Sequence, residues 1–288
     1  MTAESLLNAL TAKRMKVSLI TVTCNSEKYL ADCIESVRQQ DYPNIEYIVI
    51  DGASTDNTLA LIRGADTVID KWISEKDAGM YDAINKGMKM ATGDIIGILN
   101  SDDMLASSAT ISGIVDCFRQ NEVDSIFGDL VYVDAMDTSR IYRYWKGATY
   151  NRKAFQWGWM PAHPTFYLRR EVVESLGGYK THFHSAADFE FMTRYLYKHR
   201  VSSCYHPELI VKMRKGGMSN CGWQRRLRAN RRDYLALKQN SVPFPFFASI
   251  IKPIRKLPQF VGFLNSEKEA KAEERQRALV PAFSKMGT

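Results

Sequence analysis

The sequence predicts an α/β fold with a central sheet flanked by helices, and three apolar runs predict it. Residues 17–23, Val-Ser-Leu-Ile-Thr-Val-Thr, are rich in β-branched side chains and end in the turn Cys24-Asn25-Ser26. A second run, Ile45 to Ile50, ends in Asp51-Gly52-Ala53-Ser54. A third, Ile95 to Leu99, stops at Asn100-Ser101-Asp102-Asp103. Between the first two, Leu30, Ile34 and Val37 recur at helical spacing, so strand, helix and strand follow one another as a βαβ unit. Polar turns then gather at the carboxyl ends of the strands, where open α/β sheets bind ligands.

A chain of 288 residues can bury a sizeable core, enough for one large α/β domain with an appendage. The net charge of +7 hides a split: residues 1–199 carry −5 and residues 200–288 carry +12. A basic second part suits phosphates, nucleic acid or an anionic membrane, or is a solvated surface. The five cysteines are odd in number, widely spaced and without a C-x-x-C pair, which argues for reduced thiols in a cytoplasmic compartment and against a zinc site or disulfide framework. No apolar core of a secretory signal precedes Lys16, and no stretch reaches the roughly 18 uninterrupted apolar residues of a membrane span.

Taken in order, Ser26 is a candidate cap for the first helix, which Pro43 stops. Ser54 or Thr55 would cap a helix from Thr58 to Gly64, and Asp51, at a strand tip, is placed either for a turn or for a nucleoside N–H or hydroxyl. Val68 to Ser74 reads as an edge strand and Tyr81 to Met90 as a helix with Ile84 and Met88 on one face. Neither G-x-G-x-x-G nor G-x-x-x-x-G-K-[ST] occurs, so carboxylates and a metal would have to hold any nucleotide's phosphates. Two adjacent like charges, Asp102 and Asp103, are tolerated best beside a cation, or as the start of a helix from Ala106 to Phe118 with Ser101 or Asp102 as its cap.

Four motifs carry a resemblance: Val17 to Asn25, Asp51-Gly-Ala-Ser-Thr-Asp-Asn-Thr58, Asp77-Ala-Gly-Met-Tyr-Asp-Ala-Ile-Asn-Lys-Gly87, and Thr92-Gly-Asp to Asn100-Ser-Asp-Asp103. In this order and spacing they resemble the nucleotide-sugar half of the family 2 glycosyltransferases. The resemblance implies a Rossmann-like GT-A fold with a mixed central sheet, in which Asp51 meets the nucleoside. Thr23, Asn25 and Asp77 join it as donor contacts, Asp103 binds Mg²⁺ or Mn²⁺, and Asp102 meets the ribose or diphosphate. Many relatives carry an aromatic that packs on the base where Cys24 stands here, so the choice between a UDP- and a GDP-linked donor stays open.

Ser125 to Val133 reads as a strand, and the aromatic and basic residues of 140–160 as packing or a sugar platform. His163, between prolines, resembles a segment that lines the diphosphate and acceptor pocket. A helix follows through Val172 and Leu176, and another from Phe191 to Lys198. Displacing a nucleoside diphosphate from an anomeric carbon requires a base for the acceptor hydroxyl. The family places an aspartate at this point in its chain, which makes Asp188 the base and Glu190 second choice. Val211 to Asn220 resembles a later loop whose Arg214 or Lys215 brings positive charge to the diphosphate. Residues 224–238 read as a strongly basic helix. Residues 242–264 are apolar and aromatic with interspersed cations, fit either to lie in an anionic membrane interface or to pack on the body.

The expected organisation is an N-terminal extension (1–15), a nucleotide-sugar-binding part (16–135), an acceptor-binding part of the same domain (136–222) and a basic, amphipathic helical C-terminal extension (223–288). The expected function is inverting, metal-dependent sugar transfer from a nucleotide-diphospho-sugar to a saccharide hydroxyl. The acceptor would be polyprenyl-linked, at the inner face of the plasma membrane, with no nucleic acid as partner. A sugar-phosphate nucleotidyltransferase would open with a Gly-rich basic loop where this chain has Thr23-Cys24-Asn25-Ser26-Glu27. The third alternative is a non-catalytic nucleotide-sugar or membrane-binding module.

Overall fold

A computed structural model describes residues 15–216 and 223–254. Strands β1 (Val17–Thr23), β2 (Ile45–Asp51), β3 (Lys71–Ser74) and β4 (Ile95–Ile98) run parallel in the order β3-β2-β1-β4. Helices α1 (Leu30–Arg38), α2 (Thr58–Arg63) and α3 (Met80–Met90) connect them. Successive side chains of a strand point to opposite faces. Ile20, Val22, Ile48, Ile50, Ile96 and Ile98 therefore share one core with Ala83 and Ile84 of α3. Val17, Leu19, Tyr47, Val49 and Ile95 share the other with Leu30, Ile34 and Val37 of α1 and with Ile111 and Ile114 of α4 (Thr110–Asn121). Both faces are covered, which is why these strands read as nearly continuous apolar runs. Gly87 lets α3 come close to the sheet, since a Cβ there would lie 2.4 Å from Ile20 Cγ2.

The sheet continues without a break. β8 (Tyr167–Arg169) pairs antiparallel with both β4 and β6 (Ser125–Val133), and β9 (Ser203–Arg214) lies parallel to β6. β5 (Met104–Leu105) closes the edge antiparallel to β9, while β7 (Ile141–Trp145) adds to β6, making nine strands in one mixed sheet among the described residues. The aromatics around 140–160 pack: Trp159 sits edge-on to Phe127 and Phe155 at centroid distances of 5.7 and 5.4 Å.

Several local expectations need correction. Asp103 leads into β5 and the next helix starts only at Thr110, so neither Ser101 nor Asp102 caps it; the Ser101 hydroxyl is instead 2.9 Å from that of Ser26. Ser26 does not cap α1 with its side chain, because its carbonyl accepts the Tyr29 and Leu30 N–H groups. Ser54 turns back to Asp51, and Asp56 takes the Thr58 N–H at 3.0 Å. The third strand begins at Lys71, since the Val68 and Ile69 amides bond the Ala65 carbonyl in a turn. After α5 (Arg170–Leu176) comes α6 (Ala187–Met192), which runs on into a π turn, Thr193–Lys198; the helix thus starts before Phe191 and holds Asp188 in its first turn.

In the C-terminal part, α7 (Trp223–Gln239) and α8 (Pro245–Ile254) pack on the body. Ala236, Leu237, Val242 and Ala248 are buried in the same core as Phe189 and Phe191. Lys252 bonds Asp233 at 2.8 Å and lies 3.6 Å from the centroid of the Phe189 ring. Phe244, Phe246, Phe247 and Ile250 stay exposed. Residues 255–264 of the expected interfacial segment, and the charged run after them, lie outside the described residues.

Candidate active site

The carboxyl edge of the parallel strands gathers most of the expected donor contacts. The register pairs Thr23 with Asp51 and Asp51 with Ser74, so all three end at one level. Asp51 is fully buried, and its carboxylate accepts the Ser54 N–H (3.0 Å), the Ser74 hydroxyl (2.6 Å) and the Ser54 hydroxyl. Asn25, in the left-handed region at φ 51°, turns its side-chain oxygen to the Thr55 N–H at 2.9 Å. Asp77 accepts the Gly79 N–H at 2.8 Å and leans over Gly52, where a Cβ would meet its other oxygen at 2.7 Å. Glycine at 52 keeps this acidic corner open. Cys24 faces it too, and its thiol is pushed up by burial and by the charges of Asp51, Asp77 and Asp56. Among the described residues the buried Thr23 hydroxyl has no hydrogen-bond partner, which marks the same edge as a place for a polar ligand.

Next to this edge stands the acidic pair. Asp103 is fully buried, and its carboxylate takes the Asn100 side-chain N–H at 2.8 Å and the Arg214 backbone N–H at 3.2 Å. Burial first, and the Asp102 carboxylate second, push it up to about 8. Asp102, half-buried, is raised by burial against the opposing charge of Arg214. The Arg214 guanidinium is already committed: it donates to the Asp102 carbonyl (3.0 Å), to the Ala135 carbonyl (3.2 Å) and to Asp32, and lies 4.8 Å from the centroid of the Tyr29 ring. Arg214 therefore braces the acidic loop from behind. Lys215 is exposed over the Tyr142 ring, and residues 217–220 of the expected loop lie outside the described residues.

A third cluster comes from the later half of the chain. Asp188 is half-buried in the first turn of α6, with its Oδ1 2.7 Å from the Phe189 N–H and its own N–H facing the Tyr81 hydroxyl. His163, in a 3-10 turn before β8, is held 2.6 Å from the Tyr179 hydroxyl. Burial pushes its imidazole down, against the pull of the Asp188 charge. Glu190, two residues from Asp188, is fully buried among Arg194 (3.1 Å), Lys180 (3.1 Å) and Asn240 (3.3 Å). That ion cluster joins α6 to Asn240, just past the end of α7, and commits the Glu190 carboxylate to the core, whereas Asp188 is half-buried.

Tyr81, Asn85 and Tyr179 escaped the sequence reading. The first two stand inside the motif that starts at Asp77, and the spacing of that motif was the only signal available.

A family model described as Glycosyl transferase family 2 matches residues 18–177. An uncharacterized glycosyltransferase of Mycobacterium tuberculosis is 32% identical over 184 residues, covering 62% of this chain and 68% of its own length. A PGL/p-HBAD biosynthesis glycosyltransferase of Mycobacterium bovis is 27% identical over 210 residues, covering 70% and 78%. Among solved structures, residues 1–349 of S. aureus TarS superpose with a TM-score of 0.59 at 18% identity, over 78% of this chain and 65% of theirs, so the match spans just under two thirds of that fragment. The mannosyltransferase PcManGT from Pyrobaculum calidifontis, solved with GDP-Man and Mn²⁺, gives a TM-score of 0.59 at 19% identity over 94% and 81%. These likenesses identify the mixed sheet as a GT-A fold, and the family model spans more than half of the chain, which therefore belongs to glycosyltransferase family 2.

Proposed function

We propose that this chain transfers a sugar with inversion from a nucleotide-diphospho-sugar to a hydroxyl of a saccharide acceptor. The observation that carries this reading is Asp103, a carboxylate buried beside a second one and met, among the described residues, only by N–H donors. A divalent cation would relieve that cost. The two aspartates offer hard oxygen ligands of the kind Mg²⁺ and Mn²⁺ prefer, so the residues fit such an ion, with Asp103 as the ligand and Asp102 toward the ribose or diphosphate. When bound, the ion would supply charge neutralisation to the leaving diphosphate. Among the described residues no set of three His, Cys, Asp or Glu side chains could hold a metal alone, so the diphosphate would have to supply further ligands.

The protein's own residues do the rest. Thr23, Asn25, Asp51 and Asp77 bind and orient the nucleoside end. Asp188 takes the proton of the acceptor hydroxyl as its oxygen forms the bond to the anomeric carbon. The bond from that carbon to the diphosphate oxygen breaks, and the electron pair leaves with the nucleoside diphosphate. The UDP-GlcNAc bound in a structure of S. aureus TarS and the GDP-Man of PcManGT support a donor of this class and keep both bases in play.

Asp188→Asn is expected to lower transfer about 10²- to 10⁴-fold, the usual worth of a general base. UDP or GDP should still raise the melting temperature in the presence of Mn²⁺ as it does for the wild type. Full transfer by the variant would remove Asp188 as the base.

The acceptor in this reading is a lipid-linked saccharide met at the anionic inner face of the plasma membrane. The exposed Phe244, Phe246 and Phe247, at 73%, 60% and 61% exposure, support it, together with the +12 charge of residues 200–288. No helix among the described residues is long and apolar enough to cross a membrane.

A further inference from the structure

His163 shares one short hydrogen bond with Tyr179, and which atom holds the proton decides what His163 can do in the site. The tyrosine is fixed from three sides. Asn85 of α3 clasps its backbone, taking the Tyr179 N–H on Oδ1 at 2.7 Å and donating Nδ2 to the Tyr179 carbonyl at 2.8 Å. Gly178 makes room for that clasp, since a Cβ there would fall 2.2 Å from Asn85 Oδ1. The Tyr179 ring stacks on Phe191, with centroids 4.1 Å apart and planes at 10°, and on Tyr81 at 5.3 Å and 29°. Only 5% of Tyr179 is exposed.

This geometry brings the hydroxyl to 2.6 Å from His163 Nε2, its one side-chain partner among the described residues. A phenol has a single proton to donate. Were Nε2 the protonated nitrogen, the Tyr179 proton would be buried with no acceptor, an expensive arrangement. We infer that Tyr179 donates to Nε2 and thereby fixes His163 as the neutral imidazole protonated on Nδ1. Burial acts in the same direction on both groups, holding the phenol well above its usual range and the imidazole below its own. The charged groups around the pair are Asp188, which acts on both, and Arg194, which acts on Tyr179; Tyr81 and Tyr195 complete the titratable surroundings.

Two consequences follow for the transfer reading, on which this inference rests. With Nε2 occupied as an acceptor, His163 is no second base, and Asp188 stands alone in that role. Nδ1–H, without a partner among the described residues, is a donor to a substrate oxygen, on the diphosphate or on the acceptor saccharide. Tyr179 is then a positioning residue, and Asn85 holds it from the donor half of the chain.

The test is a long-range ¹H–¹⁵N correlation spectrum of the full chain with ¹⁵N-labelled histidine, His163 being assigned by its loss in His163→Gln. The expected wild-type signal is a neutral ring protonated on Nδ1 and unchanged between pH 6 and pH 8, with Tyr179→Phe moving it toward the Nε2-protonated form. Transfer by Tyr179→Phe should fall about tenfold, the worth of one hydrogen bond in the transition state. A rise in the acceptor KM with UDP or GDP affinity unchanged would put Nδ1–H on the saccharide, and weaker UDP or GDP binding would put it on the diphosphate. An Nε2-protonated ring in the wild type, or an imidazolium that titrates at the ordinary histidine value, overturns the inference without any variant having to fold. An Nδ1-protonated ring in a protein that transfers no sugar upholds the tautomer and overturns the transfer reading instead.

Discussion

At the residue scale the acidic pair has a cost that can be measured. An aspartate titrates near 3.9 in an unfolded chain, and Asp103 is pushed up to about 8 in the fold. Between those values the folded protein keeps a proton that the unfolded chain has released. Its contribution is complete below about pH 4 and is lost as pH rises toward 8. Without divalent metal, the melting temperature should therefore fall between pH 5 and pH 8, and Asp103→Asn should flatten that fall by at least about 3 °C. Parallel melting curves for the two proteins would contradict the shift. Residue positions were legible in the sequence where a motif held them together: Asp51, Asp77, Asp102 and Asp103 all reach the strand ends that their spacing implied. The roles that depend on contact across the chain were not. Arg214 reads as a free cation near a glycine loop, yet it braces Asp102 and Asp103 through partners more than a hundred positions away. Glu190 and Asp188 look alike on paper, and the buried Arg194 and Asn240 and the partly buried Lys180 around Glu190 tell them apart.

At the scale of elements, Glu46 on β2 is the joint that four segments share. Its carboxylate accepts Ser18 of β1 (2.5 Å), Lys71 of β3 (2.8 Å), Lys16 (3.0 Å) and both the N–H and hydroxyl of Thr92 before β4 (2.7 Å each). Burial would raise its pKa, but the hydrogen bonds from Lys71, Ser18 and Thr92 win and hold it well below the usual carboxylate range. The stability it confers is thus present above about pH 4 and lost as pH falls through the folded value. Glu46→Gln should cost about 2 kcal/mol at pH 7 in urea unfolding, with both lysines half exposed, and less near pH 3.5. A penalty that stays constant with pH would show the charge to be irrelevant. The strands themselves were the most legible elements. β1, β2 and β6 follow the apolar runs to within a residue or so, because a strand covered on both faces leaves little else in its sequence. β9 hid behind Pro207 and Glu208, where its register against β6 is irregular, and the start of α6 hid behind a 3-10 turn in which His184 takes a positive φ.

On the scale of the whole molecule, charge and shape point the same way. The basic part of the chain supplies α7 and α8, which sit on the later half of the fold beside the turn that holds Asp188; Arg232 of α7 reaches the Ser185 hydroxyl at 3.2 Å. A membrane bound through α8 would therefore lie on the acceptor side. The full chain is expected to float with vesicles rich in phosphatidylglycerol and to be released by salt. Phe246→Ser with Phe247→Ser should reduce the bound fraction about tenfold, roughly the loss of 1.4 kcal/mol of binding, without changing the melting temperature. Equal flotation of both proteins would place the contact elsewhere.

The brace behind the acidic pair also says something about how the molecule comes into being. The parallel strands β1 to β4 can pair as soon as they are made. The amide that bonds Asp103 belongs to Arg214, 111 positions later, and β5, directly after Asp103, pairs with β9. Closing so long a loop is slow, since its entropy must be spent before any contact rewards it. A ribosome would release the strands that lead to Asp51 and Asp77 well before the strand that steadies the acidic pair, so the pair is braced only after more than two hundred residues have been made.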